Sequence, residues 1–381
     1  MTSPYTLHNQ NSILGMPREI IDPRSPALEA EIPQLLRYHR IAIAVGDGTT
    51  LFAAKTTINL LRYRREDIIC VIDSENRGRQ ADDVYHAGGD IPIVGTFNEA
   101  PKPDAVFIGI APSGGKLTEA LRTIISAAIA TGIDVVSGLH DFVSDEPQFV
   151  AAAIKSGSKL IDVRKNRFKF TAKAESFRPG CLRIHTVGHD CSVGKMVTAL
   201  EIERALRRRQ YDAKFLATGQ TGIMIVGSGV PIDCVVSDFV NGSIEELVIQ
   251  HQQHNILLIE GQGSITHPSF SAVTLGLLHG CAPHGLIMCY EVGRTQVKGL
   301  PHRAIPKLER LRTIYEQIGS ERHPCQVIGV AMNSRSVTIE EAARERDQVA
   351  ARLGLPVCDV YRDGPDRLVD AVLSLKRRLD C

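Results

Sequence analysis

Short apolar runs, each followed by a helix-length segment, dominate this chain, and no other feature limits its fold as tightly. The run RIAIAVG, residues 40–46, is apolar, β-prone and closed by glycine, so it reads as a buried strand. LFAAKTTINLLRYRR follows as a helix, and DIICVID, ending at Asp73, as a second strand. DAVFIGIAP, residues 104–112, reads as the third strand, LTEALRTIISAAIATG as a helix stopped by Gly132, and IDVVSGL as the next strand. Alternation of this kind predicts parallel β-α-β units with helices on both faces of a sheet. Residues 1–38 stay outside it, broken by Pro17, Pro23, Pro26 and Pro33.

The rhythm fails over DVRKNRFKFTAKAESFRPG, residues 162–180, which is basic, polar and ends in Pro179-Gly180. This stretch is expected to connect two domains, with at most one strand. Its Arg164, Lys165, Arg167 and Lys169 read as a solvated basic linker, with contact to an anionic ligand as the alternative. Alternation then restarts. CLRIHTVG (181–188), DAKFLATG, NILLIEG, HGLIMCYE, CQVIGVAMN and LPVCDVY read as strands. GKMVTALEIERALRRRQ, IEEAARERDQVAARLG and DRLVDAVLSLKRRL read as helices. At about 150 residues per domain, 381 residues fit this division.

The most informative stretch is Gly188-His189-Asp190-Cys191-Ser192-Val193-Gly194-Lys195-Met196, between a strand and a helix. That context is what a phosphate-binding loop requires. Backbone N–H groups at a helix N-terminus converge on an anion, and the helix dipole adds to them. Glycines let the backbone approach, and Lys195 brings a mobile positive charge. The spacing is G-x5-G-K, one residue longer than the usual G-x4-G-K-[ST]. Met196 stands where Ser or Thr would ligate Mg²⁺, and Thr198 cannot take over that direction on a helix. The loop therefore predicts binding of a phosphate-bearing ligand more strongly than hydrolysis of Mg-ATP. The fold expected is α/β with two parallel-sheet domains: an N-terminal Rossmann-like domain over 1–177 and a C-terminal P-loop NTPase-like domain over 178–381.

Other residues gather at predicted strand ends, where open α/β sheets hold their ligands. Glu260, in Glu260-Gly261-Gln262-Gly263-Ser264, could hold a metal, receive a proton or bind a substrate ammonium; a turn carboxylate is the plainer alternative. Thr218 to Gly222 offers hydroxyls and backbone donors. Asp238 and Asn241-Gly242 read as a polar turn. Arg294 is a candidate fork for a carboxylate or phosphate, and Asn333 in Met332-Asn333-Ser334-Arg335 could read a base edge. Cys191, near a helix N-terminus and Lys195, is expected to have a lowered pKa and could be nucleophilic; a small residue tolerated by a tight loop is the preferred reading of its role. No metal site is expected: His251 and His254, and His279, Cys281 and His284, lack supporting ligands, and neither H-E-x-x-H nor a C-x-x-C pair is present.

In the first domain, Gly46-Asp47-Gly48 and Asp73 suggest part of a dinucleotide fingerprint, but Leu51 replaces the third glycine. Ser113-Gly114-Gly115-Lys116 could equally hold an anion at the next helix start.

Composition limits partners. The net charge is +1, which provides no global field for nucleic acid or anionic lipid. No apolar run approaches the ~18 residues of a membrane span. The N-terminal stretch does not read as a signal peptide. Nine scattered cysteines fit reduced thiols in a cytoplasmic protein. The expected partner is a small-molecule substrate, with a homo-oligomer expected on general grounds.

The two-domain layout, GHDCSVGKM, EGQGSITHP and YEVGR together resemble the DgcN-like D-glutamate N-acetyltransferase family over essentially the whole chain. The loop also resembles that of dethiobiotin synthetase, which ends in threonine where this chain has Met196. The first resemblance implies acetyl-CoA as cofactor and D-glutamate as substrate. It implies that residues 188–196 hold CoA phosphates, Arg294 a substrate carboxylate and Glu260 the substrate amine. It leaves direct transfer simpler than an acetyl-Cys191 intermediate. The alternatives are an ATP/Mg-dependent ligase or kinase of the dethiobiotin synthetase type, a non-catalytic nucleotide-binding protein and, more distantly, an NAD oxidoreductase.

Overall fold

A strand covered on both faces buries both sides of its backbone, so it reads as a continuous apolar run. Both halves of this chain are built from such strands. The computed structural model describes residues 32–46, 50–51, 53–110 and 115–379. In the first half, β1 (Ile41–Ala44), β2 (Ile68–Ile72), β3 (Ile93–Val94), β4 (Ala105–Ile108), β5 (Asp134–Ser137) and β6 (Leu160–Asp162) form one sheet. Its order is β3-β2-β1-β4-β5-β6, with every pairing parallel. The order reverses between β1 and β4, and such a switch point leaves a crevice beyond the strand ends. The helices are α1 (Lys55–Tyr63), α2 (Ala81–Tyr85), α3 (Glu119–Ala130) and α4 (Pro147–Ser156). The Thr57 hydroxyl donates to the Gly109 carbonyl at 2.9 Å, which fixes the start of α1 over that crevice.

The second half holds β7 (Leu182–Gly188), β8 (Ala213–Leu216), β9 (Ile256–Ile259), β10 (Gly285–Glu291), β13 (Gln326–Asn333) and β14 (Val357–Cys358). These form a second parallel sheet, ordered β14-β13-β10-β7-β9-β8. Between β10 and β13, β11 (Gln296–Val297) and β12 (Leu300–Ala304) make an antiparallel hairpin. Helices α5 (Lys195–Arg208), α6 (Gln220–Val226), α7 (Val240–His251), α8 (Ser271–Cys281), α9 (Leu308–Gly319), α10 (Ile339–Leu353) and α11 (Asp366–Arg378) accompany the sheet. Every residue of β7 and β10 is buried, and each buried aliphatic side chain stabilises the fold by ~1.5–3 kcal/mol. The start and stop of α10 are written locally. Thr338 and Glu341 close a capping box, and Gly354 takes the left-handed conformation at its end.

Two readings are corrected. Residues 163–181 contain no strand; Phe168 instead packs into the apolar cluster under α7 and α8. Asn241 and Gly242 lie inside α7 rather than in a turn. Gly242 is required there because a Cβ would run into the Phe170 carbonyl. Asp73 is engaged within the first domain: it accepts from the Tyr85 hydroxyl at 2.5 Å, the Asn76 amide at 2.8 Å and the Glu75 N–H. The expectations for residues 1–31, Asp47-Gly48, Ala111-Pro112 and Ser113-Gly114 lie outside the described residues.

The two halves meet along α1 and α6. Thr56 and Thr221 share a hydrogen bond of 2.8 Å between their hydroxyls, and the Gln220 amide donates to Thr56 at 3.1 Å. The buried Arg64 guanidinium donates to the carbonyls of Leu35, Tyr38 and Met224. Among the described residues no helix is long and apolar enough to cross a membrane.

Candidate active site

The loop between β7 and α5 turns on two left-handed residues, Ser192 (φ 57°) and Gly194 (φ 102°). At Gly194 a Cβ would meet nothing within 4 Å, so it is the backbone angle that calls for glycine. Lys195 is buried, and its ammonium donates to the Asp190 carbonyl at 2.8 Å. Burial holds its pKa below the usual lysine range. Tyr315 braces the loop from α9: its hydroxyl donates to the Gly188 carbonyl at 2.7 Å and accepts from Ile265 N at 3.0 Å. Val193 is buried in the apolar core, and Met196 packs at its edge. Thr198 faces the sheet, where it receives the Cys289 thiol at 3.7 Å.

Asp190 is fully buried at the centre of the loop. Its carboxylate accepts from Cys191 N at 2.7 Å, Lys298 N at 2.8 Å and the Arg294 guanidinium at 3.1 Å. Arg294 also donates to the Cys191 carbonyl at 2.8 Å and pairs with Glu291. Arg335 joins Glu291 from the end of β13 at 3.1 Å. Arg294 is therefore held by the protein's own carboxylates and organises the loop. His189 accepts from Glu291 N through Nε2 at 3.1 Å. Burial and the nearby Arg294 push its pKa down to about 3, so the ring is neutral.

Cys191 departs from expectation. Burial raises its thiol pKa, and the raising influence of Asp190 adds to it; Lys195, Lys298 and Lys55 offset only part. A lowered thiol is therefore corrected to a raised one.

Glu260 follows β9, beside β7 in the sheet. A Cβ on the next residue, Gly261, would run into the Thr186 carbonyl, so glycine lets the carboxylate strand end lie tight against the loop strand. Glu260 accepts from Thr218 N at 2.9 Å and the Gln262 amide at 3.0 Å. Burial raises its pKa to about 8, and the N–H donors of Thr218 and Gly219 offset that only in part. Among the described residues this is a buried carboxyl placed to exchange a proton near neutrality.

Several site residues escape a reading of the sequence. His267 is buried with Nε2 3.7 Å from Asp190, and Asp190, Cys191 and His267 present ligand atoms within 4.8 Å of one another. Ser269 N donates to His267 Nδ1 at 3.1 Å, which leaves the ring proton on Nε2 and takes away the lone pair a metal would need. Its only sequence signal is its place in EGQGSITHP. Lys55 opens α1, yet its charge is felt at Cys191 and Lys195. Lys298 comes from the hairpin. A cavity of about 500 Å³ borders the loop through His189 and Arg294, with Tyr290, Pro306, Lys307 and Arg352 in its wall.

Two family models match. One, described as a domain of unknown function (DUF1611_C) P-loop domain, covers residues 170–369. The other, described as a domain of unknown function (DUF1611_N) Rossmann-like domain, covers residues 74–166. The chain belongs to the DUF1611 family. A crystal structure of a DUF1611 family protein from Anabaena variabilis is 36% identical, with a TM-score of 0.83 over 88% of this chain and 99% of that one. Two curated relatives are named D-glutamate N-acetyltransferase. The protein from Tritonibacter scottomollicae is 37% identical over 87% of this chain and 97% of its own. The protein from Pseudoalteromonas sp. is 40% identical over 85% and 96%. The N-terminal Rossmann-like and C-terminal P-loop domains expected from the sequence are those of the DUF1611 family.

Proposed function

We propose that this chain transfers the acetyl group of acetyl-CoA to the amino group of D-glutamate. The observation that carries this reading is Glu260: a buried carboxyl with a pKa of about 8, beside a phosphate-type loop. The chain is also 37% and 40% identical to proteins named for this reaction. An ammonium must lose a proton before its nitrogen can attack an acyl carbon, and a base of this strength is suited to take it. The carboxylate of Glu260 accepts that proton, which its burial favours.

The loop fits an anion. The start of α5 presents N–H groups, Gly194 leaves open space, and the Lys195 ammonium is within the loop. Met196 offers a thioether where a magnesium ligand would stand, so the loop holds phosphate without hydrolysing it. Acetyl-CoA supplies the activated acyl carbon and a thiolate leaving group. Lys195 and the loop N–H groups orient it, and Arg294 neutralises Asp190 so that the loop can accept negative charge.

The test is thiol release from acetyl-CoA with D-glutamate, L-glutamate and other amino acids, alongside ADP release from Mg-ATP. D-glutamate-dependent thiol without ADP is expected. Substrate-dependent ADP without thiol would replace this reading with a ligase of the dethiobiotin synthetase type.

A further inference from the structure

A buried hydrogen-bond donor with no acceptor destabilises a fold, so a protein that keeps one has a use for it. His267 carries such a donor. The residue is 3% exposed, and its Nε2 has no hydrogen-bond partner among the described residues. The other ring nitrogen is engaged: Ser269 N donates to Nδ1 at 3.1 Å, so the ring proton sits on Nε2. The side chain is also held in place. His267 N donates to the Ser264 carbonyl at 3.0 Å, and the His267 carbonyl accepts from Ser271 N at 3.1 Å. Phe270 packs against the imidazole, with ring centres 4.7 Å apart.

This N–H is aimed at the phosphate loop. Asp190 Oδ1 lies 3.7 Å from Nε2, beyond hydrogen-bond reach, and the Cys191 thiol is within 4.8 Å. That Asp190 oxygen already accepts from Cys191 N at 2.7 Å. The other accepts from Arg294 at 3.1 Å and from Lys298 N at 2.8 Å. The carboxylate is therefore satisfied without His267, and the imidazole donor is left for whatever enters the loop. The loop opens α5, a helix of 14 residues, whose first N–H groups and dipole favour an anion. Met196 occupies the place of a magnesium ligand, so the charge of a phosphate has to be met by donors of the protein itself. His267 is one that nothing else uses.

We propose that His267 completes the anion site of the loop by donating its Nε2–H to a phosphate oxygen of the acyl donor. The proposal rests on the acetyltransfer reading for that donor being acetyl-CoA; the contact itself needs no reaction. It gives the segment after β9 two tasks, with Glu260 at its start serving the amine and His267 at its end serving the phosphate. His267 is a binding residue on this account and moves no proton.

Calorimetric titration of the full chain in EDTA tests it, with CoA and inorganic pyrophosphate as separate titrants against wild type, H267N and H267Q. The asparagine amide oxygen stands near Nδ1, keeping an acceptor for Ser269 N, and its side chain stops short of Nε2. Glutamine puts an N–H donor near Nε2. H267N should bind the titrants about 10- to 100-fold more weakly, as expected for loss of one hydrogen bond to a charged group, and H267Q should regain most of the affinity. Thermal melting gives a second readout. Without ligand the Nε2–H has no partner to lose, so H267N should melt close to wild type, while the stabilisation by CoA should shrink. A structural bond to Asp190 predicts the reverse: early melting and unchanged affinity. Equal affinities of wild type and H267N for both titrants would overturn the proposal, as would a wild type that binds neither without metal. Should H267N fail to fold, H267F replaces it: the ring still packs on Phe270, and Ser269 is exposed, so its N–H turns to water. Binding needs no turnover. A wild type that binds CoA through His267 but releases no thiol would sink the acetyltransfer reading and leave this contact standing; thiol release with equal affinities would do the opposite.

Discussion

The Arg294 guanidinium lies 3.1 Å from a carboxylate oxygen of Asp190, and that carboxylate has no solvent exposure. A buried anion in a loop meant for phosphate would repel its ligand. Arg294, with the N–H groups of Cys191 and Lys298, removes that obstacle. Removing one partner of such a pair leaves an uncompensated charge and typically costs about 3–5 kcal/mol. R294A should therefore destabilise the chain strongly in urea unfolding. D190N combined with R294A should be less damaging than the two single losses added together. Additive losses would mean that the two side chains do not act as a pair.

Glu260 sets the expected pH dependence of rate. As a base it works only when deprotonated, so kcat/KM should rise with pH up to a plateau, with a midpoint at about 8. E260Q should lower kcat by about 100-fold or more and erase that midpoint. An E260Q profile that keeps the wild-type midpoint would move the base elsewhere.

The same carboxyl makes a separate prediction for stability. Its folded-state pKa of about 8 lies above its ordinary value of 4.5. The protonated form therefore contributes stability that is fully present below about 4.5 and is lost as pH climbs through about 8. E260Q, which cannot ionise, should match wild type in acid and melt later than it at alkaline pH. Parallel melting curves across the range would show that the carboxyl is not held neutral.

Tyr315 ties two loops together from a position with no exposure, donating to the Gly188 carbonyl and accepting from Ile265 N. Y315F leaves both backbone groups without that partner and should cost about 1–3 kcal/mol in urea unfolding. The loop should also be less well held, so KM for the acyl donor should rise. An unfolding midpoint equal to wild type would argue against the brace.

Much of the fold is legible in the sequence because both sheets are made of parallel, doubly buried strands, whose apolar runs stand out. The exceptions have physical causes. Strands β3 and β6, of two and three residues, are too short to show a pattern. Asn241-Gly242 resembles a turn because glycine is usually a local signal, whereas here it answers a close approach by Phe170. The phosphate loop is legible because strand, glycines, lysine and helix are contiguous. His267 and Lys55 are not, because each reaches the loop from a distant part of the chain. Cys191 misleads for a related reason: lysine in sequence suggests activation, but burial outweighs it.

The central claim is that this chain joins an acetyl group to the amine of D-glutamate with Glu260 as base and Lys195 holding the donor. The most direct measurement is mass spectrometry of the product formed from isotope-labelled acetyl-CoA and D-glutamate by wild type, E260Q and K195A. The account predicts labelled N-acetyl-D-glutamate from wild type, little from L-glutamate, and a steep fall in both variants. No labelled product from wild type, or equal product from wild type and E260Q, would contradict it.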